Sequence, residues 1–286
     1  MPRRLMAVHA HPDDESSKGA ATLARYAAAG VDVLVVTCTG GERGDVLNPA
    51  LDTADTRARL PELRAAEMAR AATILGVRQR FLGFVDSGLP APGETLPDGC
   101  FARVPTDLAA ERLTAVLREF RPHVVVTYDP SGGYPHPDHV RTHQVAVAAF
   151  EAAGDAGRYP SAGPAWRPAK LYYLAVLSPA WFRAMHEGLL ARGLPSSFGP
   201  VLDELAGVEG LPVTTRIECA DRFATRDAAA RAHATQMAPD HPFFAHPRWV
   251  EREVWPTEDY QLARSAVRVE LPERDLFAGL PGPDSA

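Results

Sequence analysis

The sequence predicts an α/β protein: a three-layer, Rossmann-like fold with a mostly parallel sheet, plus a smaller C-terminal α+β cap. Three observations carry this. Short apolar runs alternate with alanine-rich stretches that place apolar residues at helical spacing. The runs are continuously apolar rather than alternating, as strands covered on both faces require. Turn residues such as Gly30, Gly76 and Pro122 stand between the segments, where helices have to stop.

In chain order, Leu5 to Ala10 reads as the first strand and Ser16 to Ala29 as the helix that follows it. The unit repeats as Val31 to Thr37 with Thr56 to Leu75, as Arg80 to Val85 with Thr106 to Phe120, and as His123 to Tyr128 with Pro137 to Ala153. Lys170 to Leu177 supplies a fifth strand. Such a βαβ series implies a parallel sheet with helices on both faces. Leu89 to Pro105 and Gly154 to Pro168 are rich in proline or glycine and read as loops. Further on come a helix at about Pro179 to Ala191, a strand at Val213 to Cys219 and a long helix from Asp221 to about Gln236; the last fifty residues read as a compact irregular cap. The expected organisation is a Rossmann-like catalytic core over 1–178 and an extension over 179–286 that packs on it and shapes the pocket, the two forming one structural domain.

Composition narrows the function classes. At 286 residues, 46% hydrophobic and 23% charged, the chain is an ordinary globular protein, and its net charge of −6 offers no basic footprint for nucleic acid. The N-terminus holds only about six apolar residues before histidines and an acidic cluster, too few for a signal segment or a membrane span. A cytoplasmic protein without a membrane partner is expected. Cys38, Cys100 and Cys219 are odd in number, far apart and outside any Cys-x-x-Cys pattern, so buried free thiols are expected rather than disulfides or a thiolate zinc site.

Two motifs carry chemistry. His11-Pro12-Asp13-Asp14-Glu15 follows the first strand, and Tyr134-Pro135-His136-Pro137-Asp138-His139 follows the fourth. In open α/β sheets ligands bind beyond the carboxyl ends of the strands, where strand order reverses, and in a Rossmann-like order the fourth strand neighbours the first. The two motifs would converge there. Catalytic zinc takes three nitrogen or oxygen ligands and keeps a position for water. His11, Asp14 and His139 make such a set, leaving Asp13 to take a proton from the water. A second set is His11, His139 and His143, because His139 and His143 stand at i and i+4 of a helix, and it leaves both aspartates free. The bland alternative for each motif alone is a helix N-cap for Asp13 and Asp14, and solvent-facing histidines for the other. Two dense motifs at neighbouring strand ends favour the site.

A dinucleotide site is disfavoured, since His-Pro-Asp-Asp-Glu stands where Gly-x-Gly-x-x-Gly would be needed. Thr39-Gly40-Gly41-Glu42-Arg43-Gly44 is glycine-rich but lacks the P-loop lysine; it is expected to wrap the pocket, with Glu42 and Arg43 as polar contacts.

At Ala10 to Glu15 (A-H-P-D-D-E) and His136 to His139 (H-P-D-H) the chain resembles the zinc-dependent N-deacetylases of the PIG-L and LmbE-like superfamily. The stretches Ser16-Ser17-Lys18-Gly19, Thr39 to Pro49, Arg231 to Gln236 and Val254 to Tyr260 extend the likeness along nearly the whole chain, toward the branch that acts on mycothiol S-conjugates. The resemblance implies a zinc ion on His11, Asp14 and His139, ferrous iron being suited to the same donors. It implies Asp13 as base, Tyr134 or His136 at the oxyanion, and His136, oriented by Asp138, as proton donor to the departing amine. It points to Lys18, Arg64 and Asp86 at the sugar hydroxyls. Against these last stand a surface ion pair of Arg64 with Glu67 and a plain Asp86-Ser87-Gly88 turn. The implied substrate is a small thiol-sugar conjugate cleaved at the glucosamine amide. Deacetylation of N-acetylglucosaminyl-inositol and a non-enzymatic sugar-binding module are the competing functions.

Overall fold

The computed structural model describes residues 2–91 and 93–282. Its elements in chain order are β1 (Arg4–His9), α1 (Asp14–Ser17), α2 (Ala20–Ala28), β2 (Asp32–Thr39), α3 (Ala54–Ala58), α4 (Leu60–Leu75), β3 (Arg78–Phe84), α5 (Thr106–Phe120), β4 (Val124–Thr127), α6 (Pro137–Ala153) and β5 (Lys170–Leu174), then α7 (Pro179–Leu190), α8 (Gly199–Glu204), β6 (Thr215–Glu218), α9 (Phe223–Ala232), α10 (Arg248–Val254) and β7 (Thr257–Ser265). One seven-stranded sheet runs in the order β3-β2-β1-β4-β5-β7-β6. The first five strands pair in parallel; β7 lies antiparallel to both β5 and β6.

The continuous apolar runs are explained by cover on both faces. Met6, Val8, Leu34 and Val36 point into one cluster with Leu113 and Leu117 of α5 and Val145 and Ala149 of α6. Leu5, Ala7, Val33 and Val35 point into the opposite cluster with Leu23 of α2 and Met68 and Ala72 of α4. Removing this area from water is the main favourable term, roughly 25 cal/mol per Å² of apolar surface. The small residues Ala20, Ala24, Ala71 and Ala229 let α9 pack closely against α2 and α4.

The expected α/β layering is found, with four differences in detail. The first helix is broken at Gly19, whose φ of 92° favours glycine and where a Cβ would lie 3.2 Å from Leu174 and from the Tyr260 hydroxyl. The second is interrupted at Arg59, whose φ of −105° and ψ of 11° leave the helical region, and restarts at Leu60 with Pro61 in its first turn, where a missing N–H costs nothing. The long helix expected to reach Gln236 ends at Ala232, where His233 turns inward. The last fifty residues are not an irregular cap throughout: they contain α10, and β7 enters the main sheet. Its buried Glu258 and Asp259 mask the apolar pattern by which a strand is recognised.

Among the described residues no helix is long and apolar enough to cross a membrane. All three cysteines are buried and free.

Candidate metal centre

β1 and β4 pair directly, Leu5 opposite Val124 through Ala7 opposite Val126, so the loops leaving their carboxyl ends meet at the reversal of strand order. The β1 loop delivers His11 and places Asp14 in the first turn of α1. The β4 loop delivers His136 as the N-cap of α6 and His139 in its first turn. Two groups of donors converge there, His11–Asp14–His139 and His11–His136–Asp138, all buried and each with its ligand atoms within 4.8 Å of one another.

The environment of His139 separates the two. Its Nδ1 lies 3.0 Å from the Gly132 carbonyl, which can only accept, so the neutral ring carries its proton there and presents a lone pair at Nε2. That Nε2 is buried without a hydrogen bond, although it lies 3.3 Å from Asp14 Oδ2. A lone pair facing a carboxylate oxygen suits a shared cation, and an imidazole anchored to a carbonyl through its other nitrogen is the usual state of a metal ligand. Tyr128 stacks on the ring at 4.4 Å between centroids. Gly132 has to be glycine: its φ is 79° and a Cβ would fall 2.7 Å from that of His139.

Asp14 accepts from the His11 backbone N–H at 2.9 Å and from Lys18 Nζ at 2.7 Å. Burial would push its pKa up, but His139, Lys18 and His11 hold it well below the usual carboxylate range. His11 Nε2 lies 3.3 Å from Asp138 and 3.4 Å from Asp86, and its Nδ1 lies 3.5 Å from Asp14. Three carboxylates around buried imidazoles make a donor set that fits a divalent cation. His143 is elsewhere: its Nδ1 bonds the Tyr128 carbonyl at 2.9 Å, and it joins neither donor group. His143 thus stands apart from the donors that the His11–His139–His143 set would require.

Asp13 occupies the N-cap of α1 with a φ of 106°, a strained backbone for a non-glycine residue. Its side chain accepts from Arg64 at 3.1 Å. Burial and the neighbouring Asp14 raise its pKa, opposed by Arg64. Arg64 and Glu67 do not form a surface pair, since both are buried. Arg64 also donates to the carbonyls of Pro12 and Gly41, at 2.6 Å and 2.8 Å, while Glu67 accepts from the Thr235 backbone and hydroxyl.

Asp138 accepts from the Ser87 backbone at 2.9 Å and from the Ser87 hydroxyl. Its backbone N–H, rather than its carboxylate, holds His136, donating to Nδ1 at 3.1 Å. A neutral His136 therefore carries its proton on Nε2. Burial, with His11 and His139 nearby, lowers the His136 pKa to about 4. Asp86 accepts from the N–H of Gly88 and of Arg43, so it both forms the Asx turn and faces His11. Glu42 accepts from the Asp86 N–H and the Arg43 guanidinium donates to the Asp86 carbonyl. Burial and then the charges of Asp14 and Asp13 raise the pKa of Tyr134, which stands at the rim with its ring 5.9 Å from Lys18 Nζ.

The sequence reading missed Ser87, Glu15 and His233. Glu15 accepts from the Asp13 N–H at 2.9 Å and pairs with His233 Nε2 at 2.7 Å, so the end of α9 grips the loop that carries Asp13 and Asp14. The signal was the Arg231–Gln236 stretch, noted for likeness but given no role.

The PIG-L model, described as GlcNAc-PI de-N-acetylase, matches residues 6–150 and so spans both motifs. The chain belongs to the PIG-L family. This PIG-L protein is 52% identical over 284 residues to a mycothiol S-conjugate amidase of Streptomyces coelicolor, covering 97% of each chain. It is 43% identical over 287 residues to a 1D-myo-inositol 2-acetamido-2-deoxy-alpha-D-glucopyranoside deacetylase of Streptomyces avermitilis, again covering 97% of each. Its fold resembles that of an N,N'-diacetylchitobiose deacetylase from Pyrococcus horikoshii, with a TM-score of 0.62 at 18% identity over 91% of this chain and 83% of that one. It also resembles a 4-carboxy-2-hydroxymuconate hydratase from Pseudomonas putida, with a TM-score of 0.58 at 18% identity over 94% and 99%. Neighbours with such different reactions show that the shared fold alone does not fix the chemistry.

Proposed function

We propose that this PIG-L protein is a metal-dependent amidase that hydrolyses the amide of mycothiol S-conjugates, releasing an N-acetylcysteine S-conjugate and glucosaminyl-inositol. The observation that carries this is the 52% identity along 97% of the chain to the Streptomyces coelicolor amidase, with the buried His-Asp-His group lying inside the aligned length. His11, Asp14 and His139 would hold the ion, zinc or ferrous iron; the unpartnered His139 Nε2 favours this set over His11–His136–Asp138, whose Asp138 carboxylate is already occupied by Ser87. A bound zinc ion supplies a Lewis acid and lowers the pKa of water toward about 7.

The remaining work falls to the chain. Asp13, held by Arg64, accepts a proton from the attacking water. Arg64 thus acts through Asp13, because its guanidinium is committed to that carboxylate and to two carbonyls. The Tyr134 hydroxyl, kept protonated, donates to the oxyanion as the carbonyl becomes tetrahedral. His136, with Asp138 N–H on its Nδ1, is neutral and presents Nε2–H as a second hydrogen-bond donor to the oxyanion, while the proton that Asp13 took from the water passes to the glucosamine nitrogen as the C–N bond breaks. Asp86, braced by Glu42 and Arg43, and Lys18 are assigned to the sugar hydroxyls.

The test offers the purified zinc-loaded enzyme a fluorescent mycothiol conjugate and N-acetylglucosaminyl-inositol. Faster turnover of the conjugate is expected; faster deacetylation would move the protein to the activity named for its 43% identical relative.

A further inference from the structure

A cavity of about 400 Å³ opens between the β5–α7 connection, α8 and the segment from His241 to Asp259. Its position relative to the metal centre is fixed by Ser17, which lines it and whose hydroxyl lies 3.3 Å from the carbonyls of both Asp13 and Asp14. The cavity therefore begins at the end of α1, the short helix that carries one proposed metal ligand and has the proposed base as its N-cap.

Its walls are aromatic. Trp181, Phe182 and Phe198 meet edge to face at 5.0 to 5.6 Å, and Phe243 and Trp255 line the cavity with them. The two arginines that line it are spent on carboxylates, while of the other lining carboxylates Glu258 accepts the N–H groups of Ala21 and Thr22 and Asp259 accepts from the Thr257 hydroxyl and lies 3.5 Å from Arg216. Arg226 holds Glu251 through two bonds of 2.9 and 2.8 Å, and Arg248 donates to Asp227 at 2.6 Å and to Glu251 at 2.7 Å. Both guanidinium groups also lie over the Phe243 ring, at 5.2 and 5.0 Å. Among the described residues an anion would find no free cation there, whereas an apolar group would meet ring faces.

We propose that this cavity is the subsite for the apolar substituent on the sulfur of the substrate, and that it selects bulky aryl and alkyl thioethers. The proposal rests on the amidase reading. In an acetylcysteinyl amide the carbonyl carbon, Cα, Cβ and sulfur are consecutive, so the sulfur lies within about 4 Å of the reacting carbon. A substituent on that sulfur leaves the metal centre at once and needs a space that begins at its edge. The volume suits a one- or two-ring group, within the roughly 300–1,000 Å³ range of small-molecule sites.

The test has two arms, both on the full-length zinc enzyme. N-acetylcysteine thioethers carrying S-methyl, S-benzyl and S-naphthylmethyl groups are titrated against tryptophan fluorescence, Trp181 and Trp255 being the reporters. Saturable binding that tightens at least about tenfold from methyl to naphthylmethyl is expected. Then kcat/KM is measured for the matching mycothiol conjugates in the parent and in Val201→Phe, with Ser197→Phe, at an exposed position of the same wall, as the second variant. The naphthylmethyl-to-methyl ratio should fall about tenfold in either. Equal affinity along the series, or an unchanged ratio in both folded variants, overturns the subsite. Graded binding with no conjugate turnover overturns the amidase reading and leaves the subsite standing; conjugate turnover without graded binding does the reverse.

Discussion

Arg64 grips Asp13 at 3.1 Å while donating to the Pro12 carbonyl, on the same loop, and to the Gly41 carbonyl, on the next. The glycines of Thr39 to Gly44 are explained by this side chain: a Cβ on Gly41 or Gly44 would fall 2.3 or 2.7 Å from its Nη1. The glycine-rich loop closes over a guanidinium that aims a carboxylate. Asp13→Asn should lower kcat by about 10²–10⁴, the usual worth of general acid–base catalysis, with zinc content unchanged. Retained activity would remove Asp13 as base. Arg64→Lys, which keeps the charge but loses the fork, should reduce kcat and also cost about 1–3 kcal/mol for each carbonyl left unsatisfied, read as a lower urea midpoint.

Metal content separates the ligand sets. Asp14→Ala and His139→Ala should abolish stoichiometric zinc along with turnover, whereas His143→Ala, whose ring is tied to the Tyr128 carbonyl, should keep the zinc. Mass-spectrometric metal analysis of the dialysed variants reads this directly. Zinc kept by Asp14→Ala and lost by Asp138→Ala would shift the site to the His11–His136–Asp138 group.

Away from the metal, Glu251 sets an acid limit on stability. Burial alone would raise its pKa, but bonds from His246 and Arg226 and the charge of Arg248 hold it well below its ordinary value. A carboxyl whose pKa is depressed on folding contributes stability that is complete above its unfolded value of about 4.3 and is lost as pH falls below it. The melting temperature should therefore drop between about pH 5 and pH 3. Glu251→Gln should flatten that drop and lower the plateau, because removing one partner of a buried ion pair typically costs about 3–5 kcal/mol. A parallel acid limb in parent and variant would assign the loss to other carboxylates.

The pairing of the fourth strand with the first and the meeting of the two histidine motifs were legible in the sequence, because they follow from local pattern plus the rule that ligands gather at the reversal of a parallel sheet, and the free thiols followed from three scattered cysteines. What escaped is non-local or disguised. Arg64 stood out, but its partner Asp13 lies 51 residues away, and the spacing alone suggested Glu67. His233 looked like one more helix residue; its partner Glu15 lies 218 residues away. β7 was hidden by the burial of Glu258, which accepts the N–H groups of Ala21 and Thr22 and so satisfies the start of α2 that Gly19 leaves bare.

Those same contacts lead us to propose that 1–178 and 179–286 fold as one unit. β7 pairs with β5, Lys170 of β5 is fully buried in an ion pair with Glu273, and the Tyr172 hydroxyl donates to Glu273 at 2.8 Å. His233 and Thr235 grip Glu15 and Glu67. A fragment ending at residue 178 would expose β5 as an unpaired edge and would remove the hydrogen-bond partners of the Lys170 ammonium, Glu273 and the carbonyls of Leu276 and Ala278. Calorimetry of the full chain should show one transition whose van't Hoff and calorimetric enthalpies agree, and the 1–178 fragment should show none. A cooperative transition from that fragment would establish the first region as an autonomous domain and turn the C-terminal strands into an addition to a finished fold.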